Sequence, residues 1–151
     1  MTTQKHTAQK QLPSIQDDIT ICMQAALVTY FDQDEEVICI ARGVGNEALV
    51  VTNKRVYTIN TNPTNDKSYV ENFGFHEIND VKLSRQFRVG KCQILTPHPE
   101  KYESKSIREQ YGLDHSTDVV NFPYAQFAAF NIARRHILVL IGKINPEYAF
   151  D

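Results

Sequence analysis

The sequence predicts an α+β domain in which about seven short strands stand between an N-terminal and a C-terminal helix. Three observations carry this. Apolar residues recur at spacings of three and four near both ends of the chain. Between them the period falls to two, or to short β-branched runs. No strand alternates with a helix, which argues against a doubly wound parallel sheet. Short strands with one apolar face need a cover, and Phe127, Phe130 and Ile137 of the last helix supply one.

Residues 1–13 are rich in Thr, Gln and Lys and read as a flexible tail. Residues 14–151 form a single domain. Pro13 and Ser14 precede Ile15, Ile19, Cys22, Met23, Ala26 and Tyr30, so a first helix is expected from about Ser14 to Phe31. Ser14 can cap it, and Asp17 and Asp18 suit the positive end of its dipole. Strands are expected at Val37–Ala41, Ala48–Val51 and Val56–Ile59, with turns at Gly43–Asn46 and Thr52–Lys54. A polar loop at residues 60–67 leads to Tyr69–Phe75 and Ile78–Phe87.

Val81, Leu83, Phe87 and Val89 share one parity and should face inward, while Lys82, Ser84, Gln86 and Arg88 face water. Arg85 breaks that inward pattern. Gly90 reads as a turn into Cys92–Thr96. Residues 97–117 form a charged insertion with a short helix near Ser106–Tyr111, and Asp118–Phe122 is the last strand. Pro123 fits the first turn of the closing helix and Gly142 its C-cap, with Arg134 and Arg135 turned to water. The segment Ile137–Ile141 is compatible with strand as well as helix.

At 151 residues the chain matches one domain and can bury a core without metal or disulfide. A hydrophobic fraction of 42% excludes a disordered chain, and a net charge of −2 gives no reason to expect nucleic acid. Cys22, Cys39 and Cys92 are odd in number and far apart, so they read as reduced, mostly buried thiols of a cytoplasmic protein. The N-terminus lacks a signal-peptide core, and Ile137–Ile141 is far too short to span a membrane.

Motifs of chemistry are weak. Gly43-Val-Gly-Asn-Glu-Ala48 matches a dinucleotide fingerprint, but Leu49–Thr52 is poor material for the helix that fingerprint needs, so a hairpin turn is expected. Asp32-Gln-Asp-Glu-Glu36 lacks the turn glycine of a calcium loop and reads as a solvated acidic connector. His6, His76, His98, His115 and His136 show no ligand spacing and read as surface residues. His98 and His115 share the insertion with Glu100, Glu103 and Asp114, the one place where a weak metal site is conceivable. A triad built on Cys92 has no sequence support. The chain is therefore expected to be no enzyme, with no cofactor and no metal.

Charge placement is more telling. From Asp17 to Glu36 there are six acids and no Lys or Arg. From Lys82 to Arg108 there are seven bases against two acids, a local balance of +5. Such asymmetry steers an anionic partner, or a second copy presenting its acidic segment.

The stretch Glu47-Ala-Leu-Val-Val-Thr-Asn-Lys-Arg-Val-Tyr-Thr-Ile59 resembles the second and third strands of bacterial pleckstrin-homology domains and the related GRAM domains. Phe75–Val81 is similar to the segment after that family's fourth strand, and Asp118–Phe130 to its closing strand and helix. The resemblance covers residues 36–142. It implies a strongly bent antiparallel sheet or partial barrel of seven strands, closed by the C-terminal helix, with the N-terminal helix as an addition. It also implies a non-catalytic interaction module, docking protein or self-associating. Lys82, Arg85, Arg88 and Lys91 are the candidate partner-binding residues. The alternative is peripheral binding to anionic lipid through the same bases, and a weaker one is an enzyme of the charged insertion. Phosphoinositide-binding members grip phosphates with several bases in the first hairpin. Here that hairpin offers Arg42, with Lys54 and Arg55 in the next turn, so the headgroup role is not carried over.

Overall fold

The computed structural model describes residues 16–148; the tail and the Ser14 cap fall outside them. Seven strands form two antiparallel sheets. One holds β1 (Val37–Arg42), β2 (Glu47–Thr52), β3 (Arg55–Thr61) and β4 (Ser68–Gly74), in that order. The other holds β5 (Asp80–Gln86), β6 (Val89–Leu95) and β7 (Val119–Pro123). Three α-helices accompany them among the described residues: α1 (Ile21–Val28), α2 (Lys105–Tyr111) and α3 (Phe127–Leu140). The α+β class and the order helix, strands, helix are as the sequence predicts.

The inner faces of both sheets meet in one core. Leu49, Val51, Val56 and Phe73 come from the first sheet, and Val81, Cys92, Ile94 and Phe122 from the second. α3 closes this core with Phe130, Ala133 and Ile137, all fully buried. The Phe130 ring stacks on Phe122 at 4.1 Å and 9°. Gly90 makes room for that stack, since a Cβ there would lie 2.2 Å from the Phe122 ring. A second core lies on the other side of the first sheet, where Met23 and Leu27 of α1 cover Ala48, Val50, Tyr57 and Ile59. β2 and β3 are thus buried on both faces, which is why they read as continuous apolar runs without alternation.

Several expectations need correction. α1 begins at Ile21, capped by Thr20, whose Oγ1 accepts from Met23 N at 3.1 Å, and it ends at Val28. The preceding residues serve the sheet instead. Asp17 N donates to Ile40 O at 3.0 Å, and Asp17 Oδ2 accepts from Arg42 N at 2.9 Å. The open edge of β1 needs partners, and that need outweighs helical periodicity. Phe31 still packs, stacked on Tyr57 at 5.6 Å, but from a turn.

In the second sheet the turn is Phe87-Arg88, not Gly90, with Gln86 opposite Val89 and Arg85 opposite Gly90. A two-residue connection joins the odd face of β5 to the even face of β6. Parity therefore does not run through the turn: Gly90 sits inside β6, and Phe87 and Val89 are exposed. Pro123 ends β7, and a 3-10 turn at Tyr124–Gln126 precedes α3. Ile137–Leu140 is helical, and Gly142 follows its end, with Lys143 N bonding Leu138 O and Gly142 N bonding Val139 O. Arg134 and Arg135 are both half-buried, and Arg134 turns its Nε inward to donate to Val81 O at 2.8 Å.

Candidate functional site

The acidic connector is exposed at Asp32, Gln33, Asp34 and Glu36, but not at Glu35. The Glu35 side chain is buried and gathers three donors: Thr52 Oγ1 at 2.6 Å, Tyr57 OH at 2.8 Å and Asp32 N at 3.0 Å. Arg55 Nε lies 3.4 Å from its carboxylate. Burial works to raise the Glu35 pKa, but the hydrogen bonds of Thr52, Asp32 and Tyr57 with the charge of Arg55 hold it below its ordinary value. Alongside, Asp32 pairs with Arg55 at 2.6 Å and Asp34 with Lys54 at 2.7 Å. The connector is a clamp on the β2–β3 turn. The signal for it in the sequence is the complementarity of Asp32–Glu35 with Lys54-Arg55, read as charge across a turn.

The clamp decides which bases are free. Lys54 and Arg55 are neutralised, and Arg42 donates to the carbonyls of Asp18 and Gly45. Of the seven bases from Lys82 to Arg108, Lys101 pairs with Glu77, Lys105 with Glu109, and Arg108 donates to Asp114 O. Lys82, Arg85, Arg88 and Lys91 make no ion pair among the described residues, and residues 81–99 contain no acid. All four lie in the β5–β6 hairpin, on two faces of it. Lys82 is opposite Gln93 and Lys91 opposite Ser84, so these lysines share the outer face as diagonal neighbours. Arg85 belongs to the inner face but sits beyond the core's rim, its guanidinium 4.0 Å above the Tyr124 ring. That contact accounts for its place in an apolar row. Arg88 is at the turn.

The hairpin tip also carries Phe87, 88% exposed, and Val89, 39% exposed. Sequence reading missed Phe87 by carrying strand parity through the turn. Another exposed apolar face belongs to α1, where Ile21 and Val28 point outward.

The other expected sites resolve as follows. Gly43–Asn46 is the β1–β2 turn, with Gly43 N bonded to Glu47 O, and a Cβ at Gly43 would fall 2.4 Å from Asn121 O of β7. His76 and His98 are exposed, but His136 is buried, and His6 lies outside the described residues. His115 is also mostly buried: its Nε2 lies 3.0 Å from Glu47 Oε1 and its Nδ1 2.7 Å from Ser116 O. Burial works to lower its pKa, but the Glu47 hydrogen bond and charge, with the Ser116 carbonyl, hold it above the ordinary value. With both ring nitrogens engaged, His115 is a strut between β2 and the insertion and not a partner of His98. Among the described residues no group of three or more His, Cys, Asp or Glu could hold a metal. Burial pushes the Cys92 thiol up to about 12, which opposes the thiolate a nucleophile needs. No helix among the described residues is long and apolar enough to cross a membrane.

No protein-family profile matches the sequence, and no curated protein does. Solved structures do resemble the fold. A DUF1696-family protein with a pleckstrin-homology domain from Shewanella loihica PV-4 superposes with a TM-score of 0.52 at 12% identity, over 82% of this chain and 99% of that one. A pleckstrin-homology domain from Shewanella amazonensis SB2B gives 0.49 at 14% identity, over 78% and 93%. The first of these likenesses speaks for architecture, not activity: two antiparallel sheets closed by a C-terminal helix give this chain a pleckstrin-homology-like fold.

Proposed function

We propose that the chain is a non-catalytic interaction module that docks onto a negatively charged surface through its β5–β6 hairpin. The observation that carries this is the contrast in pairing. Most bases elsewhere, Lys67 and Lys143 excepted, are engaged by nearby acids or carbonyls, whereas Lys82, Arg85, Arg88 and Lys91 cluster around an exposed aromatic tip with no ion pair among the described residues. Unpaired like charges on one hairpin repel one another unless a partner supplies the counter-charge. Two other routes are less favoured. A second copy's acidic segment has Asp32, Asp34 and Glu35 already engaged in the clamp, which leaves Asp18 and Glu36 as its unpaired acids among the described residues. Pairing through the β1 edge meets Gln16 and Asp17 already there, and pairing through the β5 edge meets Arg134 on Val81 O.

The test uses charge alone. Although the net charge is −2, the protein is expected to be retained at low salt on a sulfonate resin at neutral pH, and released as salt shortens the screening length. The triple variant Lys82→Glu, Arg88→Glu, Lys91→Glu should flow through with an unchanged melting temperature. Flow-through of the unaltered protein would remove the reading.

A further inference from the structure

We infer that the segment after α2, residues 112–117, is a pH-sensitive strap, held against β2 while His115 is doubly protonated and released when His115 loses a proton. It goes beyond the docking role proposed above and uses none of the hairpin residues. His115 lies between two groups that only accept: its Nε2 is 3.0 Å from Glu47 Oε1, and its Nδ1 is 2.7 Å from Ser116 O. A neutral imidazole carries one N–H, so it serves one of them and turns a lone pair on the other. The imidazolium serves both. Glu47 is itself a joint, since the same Oε1 accepts from Asn121 N of β7 at 2.8 Å. The strap therefore fastens the seam between the two sheets.

Closure of the strap is opposed from within. A cleft of about 280 Å³ is lined by residues 112–115, by the β1–β2 turn and by Asn60 near the end of β3. Asn60 is 1% exposed, and neither its Oδ1 nor its Nδ2 has a hydrogen-bond partner. A buried amide without partners is destabilising, and water admitted by a lifted strap would satisfy it. Two states therefore compete, and the His115–Glu47 pair decides between them. Burial works against the charged ring, but Glu47, the Ser116 carbonyl and Asp114 together hold its pKa above the ordinary 6.5. Of the other charges nearby, Arg108 of α2 gives its Nη2 to Asp114 O, and Asp118, just before β7, accepts from Ser116 Oγ. The β1–β2 turn brings Val44, Gly45 and Asn46 to the cleft, and the end of β3 and its loop bring Thr61 and Pro63, none of which titrates. The sign follows: the strap is fully held below the ordinary 6.5 and loosens as pH rises through the raised value.

Hydrogen exchange reads the strap amide by amide. Thr117 N donates to Tyr102 O, Val119 N to Ser116 O and Asn121 N to Glu47 Oε1. From about pH 5.5 to about pH 8.5 their protection factors should fall about ten-fold, the effect of losing one charged hydrogen bond. Those of Val50 and Tyr57, paired in the middle of the first sheet, should hold. His115→Gln keeps a side-chain donor for Glu47 but does not titrate, and it should show no such fall. In the parent, the His115 ring resonances should titrate with a midpoint above 6.5. A midpoint at or below that value would overturn the strap, as would protection that is flat in the parent or falls equally in His115→Gln. A fall shared by Val50 and Tyr57 would overturn it too, because the whole domain and not the segment would then be opening. If His115→Gln does not fold, the midpoint and the parent's own protection profile decide the matter.

Discussion

Phe130→Ala is expected to cost about 3–5 kcal/mol of stability, seen as a lower urea midpoint at unchanged slope. The ring is fully buried, stacks on Phe122, and joins α3 to the inner faces of both sheets. Truncation removes that contact and leaves a hole the sheets cannot close, because Gly90 already lets the Phe122 ring approach β6. A domain of this size typically has about 5–15 kcal/mol in total, so the loss is a large share. Phe87→Asn, at the opposite extreme of exposure, should leave the midpoint unchanged or raise it. A Phe130 variant within about 1 kcal/mol of the parent would mean that α3 does not close the core.

Glu35→Ala is expected to cost about 3 kcal/mol by the same measurement. The change removes the acceptor of the Tyr57 and Thr52 hydroxyls and of Asp32 N, and leaves Arg55 with Asp32 alone. Thr52 can turn to Arg55 O, 3.1 Å away, which limits the loss. The Tyr57 hydroxyl is left with Tyr30 O at 3.5 Å, too long to replace what is lost. The effect has a pH signature. The folded carboxyl titrates below its ordinary value near 4.5, so its contribution is fully present above that pH. It is lost as pH falls through the lowered value. Glu35→Gln should therefore trail the parent at pH 7 and converge with it in acid. Parallel curves at both pH values would show that the carboxylate charge plays no part.

Local chemistry made much of this fold readable. β-branched runs marked β2 and β3, turn residues marked their ends, and the Phe127–Phe130 periodicity marked the closing helix. What failed were features set by tertiary contacts. Gln16–Thr20 has helical periodicity, but the edge of β1 recruits it. Asp32–Glu35 looks like solvated charge until β2 and β3 bring Lys54 and Arg55 beneath it. The four hairpin bases were legible because charge clusters survive any error of register. Phe87 was not, because a two-residue turn switches the face on which odd residues stand.

The measurement that bears most directly on the docking role is a titration of backbone amide chemical shifts with a soluble sulfonated polymer. The account predicts that the first shifts fall on residues 82–91 and on Tyr124, whose ring lies beneath Arg85. First shifts at Arg42, Lys54 and Arg55, or along α1, with residues 82–91 unmoved, would contradict it.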